Sequence, residues 1–309
     1  MSTRRTVLAT ALSIAAAGFG LSCGLPALAA VAAETASAPA ARISVSVEGS
    51  GSDVVLIPGL NSSPRVWKEM MAALPGHRYH LVKVNGFAGS APGANVEGPV
   101  SKPVADDVAR YIETEITGKK LARPAVIGHS MGGTIGLMLA ARHPDDVDRL
   151  MVVDMVPFLG ALFGPAGTTA ASITPTADGI LAGMRAAEPE ARRARAVGTI
   201  NSMVATEAMR AGAIEDSLTS TPDVSARAYH ELVVTDLRPE LVNIKAPLTV
   251  LYVATKGFLT PAQADAVYTA AYAPVKGARL KRIDDSAHFI MWDQPKAFQA
   301  EVKSFLDAK

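Results

Sequence analysis

The chain has 309 residues, 49% of them hydrophobic, with 30 Lys and Arg against 29 Asp and Glu and a formal net charge of +1. A balance this near neutral, with both signs mixed along the chain, excludes the electrostatic footprint of a nucleic-acid binder or of a protein drawn to an anionic membrane surface. The single cysteine, Cys23, excludes a disulfide framework and leaves the rest of the chain without thiol chemistry.

Residues 1–29 read as an export signal. Arg4 and Arg5 precede an apolar run of small residues, and Ala27-Leu28-Ala29 supplies an A-x-A cleavage site. The stretch Thr3-Arg4-Arg5-Thr6-Val7-Leu8 is similar to a twin-arginine signal, which implies export of the folded protein to the periplasm or beyond; an ordinary secretory signal with two chance arginines is the competing reading. Leu21-Ser22-Cys23 hints at lipidation, but Gly20 stands where such a site wants leucine. Residues 30–41, rich in Ala, Ser and Pro, read as a flexible lead-in. No later stretch is long and apolar enough to span a bilayer.

From Arg42 onward strand and helix signals alternate. Ile43–Val47 alternates with period two, like a half-exposed edge strand, while Val54–Ile57 is a continuous apolar run, like a strand buried on both faces. A helix is expected around Val66–Leu74 and a strand over Tyr79–Val84, its start flanked by His77 and His80. Residues 85–99 form a Gly-, Ala- and Pro-rich loop. Val104, Val108, Tyr111 and Ile112 share one helical face. Ala125–Ile127 is a short buried strand that runs into Gly128-His129-Ser130-Met131-Gly132-Gly133 and then a helix through Arg142. Leu150–Val153, Pro247–Val253 and Arg279–Ile283 read as further strands. A helix from Pro261 to about Tyr272 separates the last two, and an amphipathic helix over Pro295–Leu306 closes the chain. This order predicts an α/β domain over residues 42–309, a mostly parallel central sheet with helices on both faces. The interval from about 155 to 239 breaks the rhythm. It is Ala-, Thr- and Met-rich and helical in composition, and it reads as a helical cap inserted after a strand.

Gly128-His129-Ser130-Met131-Gly132 is a G-x-S-x-G pentapeptide. A serine on a tight strand-to-helix turn holds a strained backbone, and glycines on either side let the turn close. The hydroxyl is then presented above the sheet at a helix N-terminus, where developing negative charge is favoured. An apolar strand before the pentapeptide and the helical run Thr134–Arg142 after it provide the context the motif requires.

With these residues in view, the chain from Arg42 to its end resembles an esterase or lipase-like enzyme of the α/β-hydrolase fold. Four segments carry the resemblance. Val55-Leu56-Ile57-Pro58-Gly59-Leu60 matches the strand and oxyanion loop, Gly128–Gly133 the nucleophile turn, His143–Leu150 the lead into the next strand, and Asp285-Ser286-Ala287-His288-Phe289 the loop of the catalytic histidine. The resemblance implies Ser130 as nucleophile and His288 as its base, since a serine hydroxyl needs one at neutral pH. It implies an oxyanion hole from the backbone N–H groups of Leu60 and Met131. Pro58 stands where many relatives carry histidine, which removes a side chain that often braces the loop.

The acid is the least defined member. In most of the family it follows the strand that matches Leu248–Val253, but residues 254–261 hold no carboxylate. A variant arrangement puts it after the preceding strand, where Asp154 lies. Asp154 is the favoured triad acid, with a structural strand-end aspartate as its competitor; Asp265, Asp236, Asp284 and Asp285 are weaker candidates.

Of the other histidines, His129 reads as a packing or support residue, His143 as a helix-end residue, and His230 as part of the cap. The cap residues Phe158, Leu159, Leu162, Phe163, Met184, Met203 and Met209 suit an apolar acyl or aromatic pocket; taken singly, each is first read as packing the cap onto the core. No metal-ligand spacing, dinucleotide fingerprint or P-loop stands in the sequence, so no cofactor and no metal are expected. The expected activity is hydrolysis of small-molecule carboxylic esters through an acyl-enzyme. Rivals are an acyltransferase or lactonase on the same residues, and a non-enzymatic binding protein that has lost the acid. Serine at the turn argues against epoxide hydrolase and haloalkane dehalogenase chemistry, for which the fold uses aspartate.

Overall fold

A computed structural model describes residues 41–254 and 257–308. The signal segment, Cys23 and nearly all of the lead-in fall outside the described residues. β1 (Ile43–Gly49), β2 (Ser52–Ile57), β3 (His77–Val84), β4 (Ala125–His129), β5 (Arg149–Val153), β6 (Leu248–Tyr252) and β7 (Arg279–Arg282) form one sheet in the order β1-β3-β2-β4-β5-β6-β7. Only the edge strand β1 runs antiparallel to its neighbour; every other pairing is parallel.

The continuous apolar runs have a simple cause. Successive strand residues point to opposite faces, and both faces are covered. On one side Val55, Ile57, Val126, Leu150, Val152 and Val250 pack with α2 (Ser101–Tyr111), α3 (Met131–Arg142) and α8 (Pro261–Tyr272). On the other Val54, Leu56, Ile127, Met151, Val153 and Leu251 pack with α1 (Lys68–Ala73), α9 (Ile290–Asp293) and α10 (Pro295–Asp307).

Element boundaries moved little. The helix expected from Val66 opens as a 3-10 turn over Pro64–Trp67 before α1. β3 starts at His77, so His77 and His80 lie inside the strand, three residues apart and hence on opposite faces. His80 is buried, with Nε2 2.7 Å from Asp53 Oδ1 and Nδ1 2.8 Å from the Tyr111 hydroxyl; His77 meets the Ser52 hydroxyl. Between β5 and β6 the chain forms four helices, α4 (Ala170–Ala186), α5 (Pro189–Met203), α6 (Glu207–Thr219) and α7 (Pro222–Val234). Among the described residues, no helix is long and apolar enough to cross a membrane.

Topology points to where a site should lie. After β2 the chain leaves toward β3 and the β1 edge, whereas after β4 it leaves toward β5 and the opposite edge. Strands β2 and β4 are neighbours, so the loops at their carboxyl ends diverge and leave a crevice at the switch point.

Candidate active site

Ser130 stands at that crevice, between β4 and α3, with φ 53° and ψ −121°. A positive φ on a residue with a Cβ costs on the order of 1–3 kcal/mol and persists only where the surroundings enforce it. The glycines explain how they do. A Cβ on Gly128 would stand 2.1 Å from the Gly132 carbonyl oxygen, and one on Gly132 2.1 Å from that of Ile57. The turn is therefore closed onto itself and onto the end of β2. The Ser130 amide donates to the Val153 carbonyl at 2.9 Å, which ties the turn to β5. Met131, fully buried, is the first residue of α3, so its N–H is one of the four that a helix leaves without an internal partner.

Asp154 follows β5 directly and also has a positive φ, 51°. Its Oδ2 lies 2.6 Å from His288 Nδ1, and its Oδ1 accepts from the Val253 amide at 3.1 Å and the Tyr268 hydroxyl at 3.0 Å. The carboxylate is buried and three donors surround it. Burial and the Asp154 charge push the Tyr268 hydroxyl well above the ordinary tyrosine range, so it stays protonated and donates. Tyr272 donates to the Met155 carbonyl at 2.7 Å and anchors the next residue. Three of the other candidate carboxylates are engaged elsewhere, and Asp285 makes no side-chain bond to His288 among the described residues. Asp265 accepts from the Tyr252 hydroxyl and from Arg282, Asp284 pairs with Arg282, and Asp236 pairs with Arg238.

His288 lies in the loop between β7 and α9. His129, in the variable position of the pentapeptide, supports it from below. Its Nε2 donates to the His288 carbonyl at 3.1 Å, and its ring lies 4.6 Å from the His288 ring and 4.7 Å from that of Phe289. A carbonyl only accepts, so Nε2 carries the hydrogen and Nδ1 is bare, without a partner among the described residues. Burial pushes this imidazole well below the ordinary histidine range, and His288 adds to the effect. The linkage follows in sign. The unfolded chain protonates His129 near the ordinary value of 6.5 and the folded chain does not, so this contribution is full above that pH and is lost as pH falls. Stability should fall by up to about 1.4 kcal/mol per pH unit below that point. Urea unfolding from about pH 7 to about pH 5 should show a shallower decline for His129→Asn than for the parent chain. Parallel declines would assign the acid sensitivity to other groups.

The loop after β2 closes the crevice. A Cβ on Gly59 would lie 3.1 Å from Ser130 Cβ and 3.2 Å from His129 Nδ1, so a larger residue would need its neighbours to give by a few tenths of an ångström, and glycine lets this loop press on the turn. Beyond it Asn61 has φ 58°. Two helices of the 155–239 interval hold the loop. Ser225 of α7 donates to Asn61 Oδ1 at 2.6 Å. Asp216 of α6, 3% exposed, accepts from the Ser63 amide at 3.1 Å, the Ser63 hydroxyl at 2.6 Å and Arg65 Nη2 at 2.6 Å. Asp293 plays a similar part behind His288, accepting from the amides of Ala287, Ala205 and Thr206.

Gly59, Leu60, Ser130, Asp154 and His288 all line one cavity of about 970 Å³. Of the seven apolar residues picked out in the cap interval, Leu159, Leu162, Phe163, Met184 and Met203 line it too. Phe158 instead packs with Ile173, Ala177 and Val233 under Arg238, and Met209 packs against the core. Tyr268, Asp216, Ser225 and Asp293 carry no local mark of these roles in the sequence, because each acts on a partner distant in the chain.

A family model described as the alpha/beta hydrolase fold matches residues 54–295. The chain belongs to the α/β-hydrolase fold family. Among relatives, the pimeloyl-[acyl-carrier protein] methyl ester esterase of Aromatoleum aromaticum is 25% identical over 251 residues, which cover 79% of this chain and 94% of that protein. A protein of Yersinia enterocolitica provisionally named carbamate hydrolase RutD is 32% identical over 107 residues, 34% of this α/β-hydrolase and 37% of the relative. The match thus spans little more than a third of that relative's length. Among solved structures, an esterase from Exiguobacterium antarcticum has a TM-score of 0.71 at 21% identity, covering 86% of this chain and 96% of the other. An enol-lactonase from Burkholderia xenovorans has a TM-score of 0.68 at 23% identity, covering 87% and 100%. At these identities the structural likenesses show the fold.

Proposed function

We propose that this α/β-hydrolase cleaves carboxylic esters of apolar or aromatic small molecules through an acyl-enzyme on Ser130. One observation carries the reading. A strained serine on a strand-to-helix turn opens onto the same apolar-lined cavity as a histidine whose Nδ1 is bonded to a buried carboxylate. With Nδ1–H given to Asp154, Nε2 of His288 is the ring's proton acceptor. Ser130 Oγ attacks the ester carbonyl and His288 takes its proton. The amides of Leu60 and Met131 stabilise the oxyanion, and His288 returns the proton to the departing alcohol. Water, deprotonated by His288, then attacks the acyl-enzyme and releases the acid and free Ser130. The esterases matched over most of their length support an ester as substrate. A fluorophosphonate probe tests the reading, because covalent labelling needs an activated serine. Labelling confined to Ser130, with turnover of p-nitrophenyl esters, is expected. A folded protein that takes up no label would instead fit a binding protein of this fold. Lactones and alcohol acceptors added to the same assay separate hydrolysis of open esters from lactonase or acyltransferase activity.

Export by the folded-protein route is part of the same proposal and rests on Arg4 and Arg5 ahead of a mildly apolar run. Replacing both by lysine should leave the protein in the cytoplasm. Unaffected export would assign it to the general secretory route.

A further inference from the structure

The cavity has an uneven charge. Arg192, Arg193 and Arg195, all on α5, line it; among the described residues the only carboxylate in its lining is Asp154, already engaged by His288. Among the described residues none of the three arginines makes an ion pair; the one side-chain hydrogen bond in the group is from Arg192 Nη1 to the Ala187 carbonyl at 2.8 Å, which steadies that guanidinium. Arg192 and Arg195 lie three positions apart, on one helical face with Thr199, which also lines the cavity. Guanidinium groups present a rigid fork of N–H donors suited to carboxylate and phosphate oxygens. Arg192 is half-buried and Arg193 and Arg195 are exposed, so the group stands where the cavity meets solvent, with its guanidinium donors open to an anionic ligand end.

The helix also sets their distance from the chemistry. Its C-terminal end is fixed beside His288: the Phe289 amide donates to the Met203 carbonyl at 3.2 Å, and Val204 is fully buried. At 1.5 Å of rise per residue, Arg195 lies roughly 12 Å and Arg192 roughly 16 Å back along the axis from Met203. The α5 residues between them that line the cavity include Ala196, Ile200 and Met203, which are apolar.

We infer that α5 carries an anion-binding subsite, and that the preferred substrate is an ester joined through an apolar spacer to a carboxylate or phosphate group. This rests on the ester-hydrolase reading for the reacting end and on the arginines for the other. Carboxylate and phosphate share the recognising chemistry, so both are tested.

The experiment compares p-nitrophenyl esters of straight-chain acids ending in carboxylate or phosphate with methyl-ended esters of the same length. The wild-type protein should favour the anionic ester in kcat/KM, by an amount that grows with spacer length and shrinks with added salt. In R192Q/R195Q the anionic-to-neutral ratio should fall about tenfold or more, mainly through KM, as expected for binding lost equally from ground and transition states. R195E, a change at an exposed position, should invert the preference. Equal ratios in wild type and variants would overturn the subsite, as would a preference undiminished at the shortest spacer. If wild type hydrolyses neither kind of ester, the ester-hydrolase reading has failed. The subsite is then judged by calorimetric titration with a dicarboxylate: about tenfold weaker binding to R192Q/R195Q supports it, and unchanged or undetectable binding to both proteins overturns it.

Discussion

Ser130→Ala is expected to lower ester turnover by on the order of 10⁴-fold or more, leaving the residual rate that binding and the oxyanion donors supply. Stability should stay within about 1 kcal/mol, because alanine keeps both the Cβ and the strained backbone. Ser130→Gly makes the contrast sharper. It removes the same hydroxyl but relieves the positive-φ strain, so it should be as inactive as the alanine variant and more stable by up to about 1–3 kcal/mol. Turnover and urea midpoints of the three proteins check this. Activity within about tenfold of the parent in either variant would take Ser130 out of the chemistry.

Asp154→Asn should lower kcat by about 10⁴-fold, the scale known for this exchange in a serine-protease triad. The surroundings of Asp154 give the reason. Asparagine can keep its Oδ1 toward the Val253 amide and the Tyr268 hydroxyl, which both donate. Its amide group then faces His288 Nδ1, also a donor in the competent tautomer. Two donors cannot meet, so the ring must shift its proton to Nε2 or turn away, and in both cases it stops accepting from Ser130. Folding should change far less than kcat, since two of the three contacts survive. Asp265→Asn should change kcat little, because that carboxylate meets Tyr252 and Arg282 at the surface, away from His288. A large loss of kcat in Asp265→Asn alone would reverse the assignment.

The sheet and the Ser130 turn were legible for local reasons. A strand buried on both faces must be a continuous apolar run, and the Ser130 turn needs small residues at fixed offsets, so Val54–Ile57 and Gly128–Gly132 show their structure within a few residues. The family match and the seven-stranded sheet agree with the α/β fold so read. The partner of His288 was not legible in this way. Its contact with His288 joins residues 134 positions apart, and strand-end aspartates are common. The absent carboxylate after Val253 points to Asp154, and in the structure Asp154 is the one that meets His288 while Asp265 meets Tyr252 and Arg282. The cap interval shows the opposite failure. Composition suggested helices, but nothing in the sequence indicated that Asp216 and Ser225 reach the loop after β2, because a buried aspartate and a serine on a helix carry no local mark of their partner.

That contact bears on how such proteins can diversify. Helical insertions above an α/β sheet invite treatment as interchangeable parts, replaced to change the substrate while the catalytic floor stays as it was. Here the insertion and the floor share hydrogen bonds. A substitute segment without Asp216 would take the buried acceptor from the Ser63 amide, the Ser63 hydroxyl and Arg65, and one without Ser225 would take the donor from Asn61 Oδ1. The converse holds for the helix: Asp216 is buried, and a loop without Ser63 and Arg65 would leave that carboxylate unmatched, at a cost of about 1–3 kcal/mol or more. Exchange of the insertion in this chain therefore carries a compatibility requirement at residues 61–65.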